Sequence, residues 1–407
     1  MLKTALAVLL LLSATACAEP EKEAEPPLNQ SGPYPRGPFS GTTQGILRTG
    51  DDEGFGLGPS LPDPSAFDGS NRTETVLEGS RFNDNFGISG HYGHYFDPRS
   101  RLMLTGQAGT TNLSGDLDYS FTPEGMDGYF SAYVNHTRYQ HIAYRQSGTA
   151  TGVPWLGRTS AGFGYTSDPS QRFILSSALV LENISLYSSE FGGRLPASEG
   201  RRRPLTVSPD GSDTTLSLRF AGAYLDVNDL QFPTEGDKLN FAIQQDVPVG
   251  SAQVDLTRFH VNYSHFQPIG DPTLIFNLQA GITRGRVAPY EAYNLGGSNS
   301  VRGYQLGELG AATRFLQLST ELRVPLGDLE LFQKQIPMRF TTFVDYANTF
   351  GSETDIYGMS FPRKRDTYGL GYGLGLQAVT DFGLVRLEAA RARTGQNLAG
   401  LTIGDRY

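Results

Sequence analysis

A single cysteine, Cys17, stands in 407 residues, so no intramolecular disulfide can staple the fold. Long apolar runs are missing as well. Beyond the first eighteen residues nothing approaches the roughly 18 consecutive apolar residues of a spanning helix. Tryptophan occurs once, methionine five times, and hydrophobic residues make up only 38% of the chain. The nucleophile, zinc-protease and phosphate-loop patterns G-x-S-x-G, H-E-x-x-H and the P-loop do not occur, so the chain reads as no enzyme with no cofactor. Six histidines are scattered. The pairs His91/His94 and His136/His141 sit at odd offsets, which in strands places the members on opposite faces, so no metal site is expected. A net charge of −9 excludes nucleic acid as an obvious partner.

What is abundant points elsewhere. Glycine reaches 49 residues, and there are 24 Phe and 20 Tyr. At the start, Lys3 precedes an apolar stretch from Ala5 to Leu12 that is too short to span a bilayer, and small residues follow at Ser13 to Ala18. That is the layout of a signal peptide over 1–18. Ala16 and Ala18 fit an A-x-A cleavage site that leaves Glu19 first. Cys17 occupies a lipoprotein-like position with Ala14 where Leu is usual, so removal and lipidation both stay open. From 19 to 70 the chain is rich in Pro, Gly and acidic residues, among them Pro26, Pro27, Pro33, Pro35 and Pro38. No helical or strand period survives that many breaks, and a disordered periplasmic leader is expected.

From about residue 71 alternation takes over. Leu274, Phe276, Leu278, Ala280 and Ile282 share one phase, with Asn277, Gln279 and Gly281 on the other. Leu216, Leu218 and Phe220 alternate with Ser217 and Arg219, and Leu239, Phe241 and Ile243 with Asn240 and Gln244. Leu316, Leu318, Leu322 and Val324 alternate with Gln317, Ser319, Glu321 and Arg323, and Val385, Leu387 and Ala389 with Arg386 and Glu388. Period two means one apolar and one polar face per strand. A soluble sandwich would turn the polar face to water; a membrane barrel turns it to the lumen. Two features favour the barrel: charges stand mid-strand, and the strands are long enough for a tilted span. Short turns such as Asp97-Pro98, Asp168-Pro169 and Asp381-Phe382-Gly383 also alternate with longer loops. The pattern places strands at 72–79, 82–96, 100–111, 114–122, 127–146, 158–167, 171–187, 213–226, 236–247, 251–267, 272–286, 312–326, 336–348, 366–379, 382–393 and 398–407. The expected fold is all-β: a closed antiparallel transmembrane β-barrel of about sixteen strands over 71–407.

Between two of these strands runs LGGSNSVRGY, Leu295 to Tyr304. Paired glycines permit unusual backbone angles, and Arg302 offers a planar fork suited to carboxylates. Taken alone, the segment would be an ordinary solvated loop. Further blocks follow in order: PTEG at 233–236, ELRVPL at 321–326, FVDYANTF at 343–350, YGLGYGLGLQ at 368–377, VRLEAA at 385–390 and the terminal LTIGDRY. Together with VRGY these resemble the BamA/TamA superfamily, the bacterial surface antigen family of outer-membrane insertases and translocators. Ala347 stands where that family usually has Gly.

The resemblance implies an inward-folded sixth outer loop carrying the motif Val301, Arg302, Gly303 and Tyr304. It also implies that Arg302 pairs with Glu321 and Asp345 on the inner wall. Strand phase agrees, because both carboxylates fall on the polar face. The last strand, with Leu401, Ile403 and Tyr407 on one parity, is similar to the family's C-terminal barrel signal, with Asp405 breaking the apolar face. The implied location is the outer membrane. Implied partners are outer-membrane lipid, the barrel-assembly machinery for the chain's own insertion, and client proteins. The implied activity is assisting insertion or translocation of proteins or lipids; the alternative is a passive pore or structural barrel partly plugged by the VRGY loop. The short leader suggests a form lacking the family's periplasmic repeat domains.

Overall fold

A computed structural model of the chain describes residues 72–407 except 83–84, 98, 110–111, 141–154, 169–170, 190, 197–204, 230–231, 251–252, 306, 332–333, 358–366, 381–382 and 404–405. The expected signal segment and Pro-rich leader lie outside the described residues. The strands are β1 (Arg72–Phe82), β2 (Asn85–Asp97), β3 (Ser100–Gly109), β4 (Asn112–Phe121), β5 (Tyr129–Gln140) and β6 (Trp155–Thr166). Next come β7 (Phe173–Tyr187), β8 (Ser212–Val227), β9 (Gly236–Pro248), β10 (Leu256–Pro268) and β11 (Thr273–Gly285). A small hairpin, β12 (Tyr293–Leu295) and β13 (Gly310–Ala312), interrupts the series. It resumes with β14 (Arg314–Leu331), β15 (Lys334–Asn348), β16 (Tyr368–Thr380), β17 (Gly383–Ala392) and β18 (Asn397–Ile403).

Sixteen of these strands form one antiparallel sheet, each hydrogen-bonded to its sequence neighbours, with β14 following β11 because β12 and β13 pair only with each other. The meander sorts its connections. At one edge of the sheet they are brief, such as 269–272 between β10 and β11. At the other they include 188–211, 286–313 and 349–367.

Burial is inverted relative to a water-soluble protein. Along β8, Asp213, Thr215, Ser217 and Arg219 are buried while Leu218 and Phe220 are exposed. Along β7, Glu182 is 2% exposed, whereas Leu179 and Leu181 are 51% and 47% exposed. Exposed Val134, Phe163, Ile243, Phe259, Leu318, Val344, Leu374 and Leu387 extend the apolar face over many more strands. A contiguous apolar face of this extent is incompatible with water and matches hydrocarbon. Among the described residues no helix is long and apolar enough to cross a membrane. Strands do the crossing instead, with the backbone N–H and C=O groups along each ladder satisfied by the neighbouring strand.

At the short-turn edge an aromatic chain marks the boundary of the apolar face. Phe96, Tyr119, Phe121, Phe130 and Phe163 follow one another at 5.5–6.3 Å between ring centroids, with Tyr165 5.1 Å from Phe130. Girdles of aromatic residues flank the apolar band of membrane barrels at the interfaces.

Two expectations are corrected. The last strand ends at Ile403 rather than 407, because Arg406 and Tyr407 leave the sheet for its polar face. The end strands β1 and β18 come within 8 Å of each other, yet among the described residues no ladder joins them. β18 has 7 residues against 11 in β1, and beyond it Arg406 binds Asp345 on the polar face.

The inverted burial predicts that Leu179→Arg, mid-span on the exposed face of β7, destabilises the protein by about 2–4 kcal/mol in a bilayer. Leu179→Ile should be nearly neutral. Reversible denaturant unfolding from lipid vesicles measures both.

Candidate functional site

The connection from β11 to β14 turns onto the polar face of the sheet. Two glycines start the turn, Gly296 at φ 111° and Gly297 at φ 95°. Ser300 then holds the segment in place: its hydroxyl accepts from the Gly296 N–H at 3.1 Å and donates to Gln317 Oε1 at 2.7 Å. Tyr304 closes the motif back on itself, its carbonyl accepting from Gly297 N–H at 3.0 Å.

Arg302, 3% exposed, sits within a ring of carboxylates. Its Nε and Nη2 donate to the two oxygens of Asp345 at 2.7 and 3.0 Å, and its backbone N–H donates to Asp345 Oδ2 at 3.1 Å. Nη1 donates to Glu321 Oε2 and to Glu388 Oε1, both at 2.7 Å. The guanidinium also lies 3.3 Å from the Phe343 ring centroid, a cation–π position. Asp345 is bound bidentately, the geometry for which the arginine fork is suited and lysine is not. Around this core, Arg323 Nε and Gln377 Nε2 donate to Glu321 Oε1 at 3.0 and 3.2 Å, and Ser319 Oγ donates to Asp345 Oδ1 at 2.5 Å. Removing one partner from a buried pair of this kind costs on the order of 3–5 kcal/mol, because the others stay buried and uncompensated.

Small residues make room for the loop. Gly369 and Gly371, on the inward phase of β16, face Leu309 and the Arg302 carbonyl, and a Cβ on Gly371 would overlap that oxygen. Gly303, at φ 94°, lies against the backbone of Arg391 and Ala392. Val301 and Tyr304 are buried with Leu295, Leu309, Phe315 and Ala347.

The structure thus brings Arg302, Glu321 and Asp345 together. It adds Glu388 and Phe343, which were not singled out as partners of the loop. Their signal was available: Glu388 shares its phase with Arg386 on β17, and Phe343 shares that of Asp345. Leu401 faces outward from β18. Tyr407 does not share that face. Its hydroxyl lies 3.0 Å from Ser319 Oγ and 3.4 Å from Glu321 Oε2, and its carbonyl accepts from Lys238 Nζ at 3.4 Å. Arg406 donates to Asp345 Oδ2 at 3.1 Å and to the Ser300 carbonyl. Ile403 is the last residue of β18.

A second charged cluster went unnoticed in the sequence. Glu291, in the same connection, accepts from Arg158 Nη2 at 2.8 Å and Arg258 Nη2 at 2.5 Å. Glu182 accepts from Arg158 and Arg219 at 2.5 and 3.2 Å. No periodic pattern surrounds Glu291, so nothing in the sequence set it apart from other loop acids.

Sixteen antiparallel strands with lipid-compatible side chains outside and charged groups inside define an outer-membrane β-barrel protein. The chain belongs to the Omp85 superfamily, whose domain matches residues 83–397. It is similar to protein TOC75-3, chloroplastic, of Arabidopsis thaliana (28% identical over 279 residues, 62% of this chain and 32% of that protein). Outer envelope protein 80, chloroplastic, of the same plant is 27% identical over 237 residues, 58% of this chain and 30% of that protein. The chain therefore spans about a third of the length of these two relatives. Among solved structures, BamA from Haemophilus ducreyi lacking POTRA domains 1–3 shares the fold. There the TM-score is 0.63 at 17% identity, over 82% of this chain and 69% of that one. CdiB from Escherichia coli superimposes with a TM-score of 0.53 at 14% identity, over 81% of this chain and 60% of that one.

The packing predicts that Gly371→Ala weakens loop docking without touching a charge. Gly400→Ala, where a Cβ meets nothing within 4 Å, should leave stability unchanged. Arg302→Ala should cost about 3–5 kcal/mol, and Arg302→Lys should recover only part of it. Thermal unfolding of the refolded barrel ranks all four variants.

Proposed function

We propose that this barrel assists insertion or translocation of proteins, or lipids, at the outer membrane, with the loop carrying Arg302 docked inside the closed barrel as its sixth outer loop. The observation that carries the reading is the shared ligation of Asp345. Arg302 from the loop and Arg406 from the segment after β18 both bind it. Loop docking and the end of the closing strand are therefore physically coupled. Seven-residue β18 keeps its ladder with β17 and leaves its other edge for β1. A strand edge with few committed hydrogen bonds is a template for an incoming strand, which would pair there by β-augmentation. Kinship with TOC75 proteins and the fold shared with BamA and CdiB support the same direction. In this account no chemical step occurs on the chain, and clients are held by backbone pairing and lipid contact.

The same docking supports a second reading, a passive pore partly plugged by the loop, because a loop pinned this firmly also obstructs the lumen. Depletion in the native membrane separates the two. The assembly reading expects other outer-membrane proteins to fall in abundance, and unchanged levels of every one would contradict it. Deleting 295–304 should raise conductance in planar bilayers under both readings, and an unchanged conductance would refute loop docking itself.

A further inference from the structure

We propose that Arg158 and Arg258 form a carboxylate-binding site on the polar face of β6 and β10, with Arg219 of β8 beside it holding Glu182. In this structure the site is filled by the loop's own Glu291, which makes it a second anchor of opposite sign to the Arg302 anchor. Glu291, 6% exposed, spans two strands that are not neighbours: Oε1 takes Arg158 of β6 and Oε2 takes Arg258 of β10. Arg258 also donates to the Glu291 carbonyl at 2.6 Å, so both the side chain and the backbone of this residue are recognised. On the wall itself the nearest acid is Glu182, already bonded to Arg158, Arg219 and Ser160. Asp246 is occupied by Gln244 at 2.7 Å to each oxygen. Arg219 is paired with Glu182, which Arg158 shares, so the carboxylate of Glu291 supplies the remaining counter-charge to Arg158 and Arg258; buried cations without one are strongly disfavoured.

The residue before it reinforces the seat. Tyr290 donates its hydroxyl to Asp213 Oδ2 at 2.8 Å, and Asp213 in turn accepts the N–H groups of Val207 and Ser208. Ala288 and Tyr290 are buried with Leu156, Ile184, Leu186 and Leu256. The connection thus grips Arg158 and Arg258 through Glu291, and the carboxylates of β14, β15 and β17 through Arg302. Loss of either grip alone leaves the segment tethered by the other. When the segment withdraws, Arg158 and Arg258 offer a site for another carboxylate, from an acidic side chain or from a small organic acid. The inference rests on the docking geometry and not on the translocation reading.

The test uses the full-length chain refolded into planar bilayers, with acetate as the probe. Glu291→Gln should shift the reversal potential in a salt gradient towards anions, because Arg158 and Arg258 lose a counter-charge, while Glu291→Asp stays near wild type. Glu291→Gln combined with Arg302→Gln should raise open probability roughly tenfold beyond either single variant, equivalent to about 1.4 kcal/mol. Glu291→Ala should recover towards wild-type selectivity, or towards wild-type refolding yield if it folds poorly, in acetate but not in chloride of equal ionic strength. Wild-type selectivity in Glu291→Gln, with a double variant no more open than Arg302→Gln, would overturn the proposal. So would a Glu291→Ala chain whose defect neither acetate nor the Asp variant repairs. No client protein enters these measurements, so their failure is separable from failure of the assembly reading.

Discussion

A strand in hydrocarbon can satisfy its backbone polar groups only on another strand, and each residue's side chain must then face either lipid or the interior. This constraint organises the whole molecule. It places Leu179, Leu218, Val344 and Leu387 outward and puts Glu182, Arg219, Asp345 and Glu388 inward. The interior is thereby committed to charge before any loop arrives. A loop that enters must bring matching charge, and this one brings Arg302 and Glu291.

The charge on the interior is concentrated in two clusters. Arg158, Arg219 and Arg258 on β6, β8 and β10 cluster with Glu182, and Glu321, Asp345 and Glu388 on β14, β15 and β17 are joined by Arg323 and Arg386. The connection between β11 and β14 therefore adds an acid to one cluster and an arginine to the other. Complementary anchoring of this kind fixes orientation as well as position, since a flipped loop would set like charges together. The glycine phase of β16 adds the steric half of the fit, giving the loop backbone a surface with no side chains in its way.

Much of this was legible in the residues. Alternation placed all sixteen strands of the sheet, because each is long enough for a period of two to repeat several times, and it assigned Glu321 and Asp345 to the inner face. β12 and β13, at three residues each, are too short to show any period. Expectation extended the fifth strand to 146, and 141–154 lie outside the described residues. Glu388 was visible as an inward charge but not as a ligand of Arg302, since pairing across two strands depends on register. Glu291 carried no signal at all. The terminal segment misled: parity grouped Tyr407 with Leu401, but the Tyr407 hydroxyl lies by Ser319 and Glu321 on the polar face. Its pull is local electrostatics around Asp345 and Glu321, which no strand period encodes.

Everything above depends on the VRGY loop sitting on the inner wall in a membrane. Ser300→Cys with Gln317→Cys places two thiols on groups that are hydrogen-bonded at 2.7 Å in this structure, and Cys17 replaced by Ser removes the only other thiol. A short bifunctional thiol reagent applied to the protein in native membranes should join 300 to 317 in most of the folded chains. Failure to cross-link there, with both single-cysteine variants still labelled by a monofunctional reagent, would show that the loop lies elsewhere and would contradict the account.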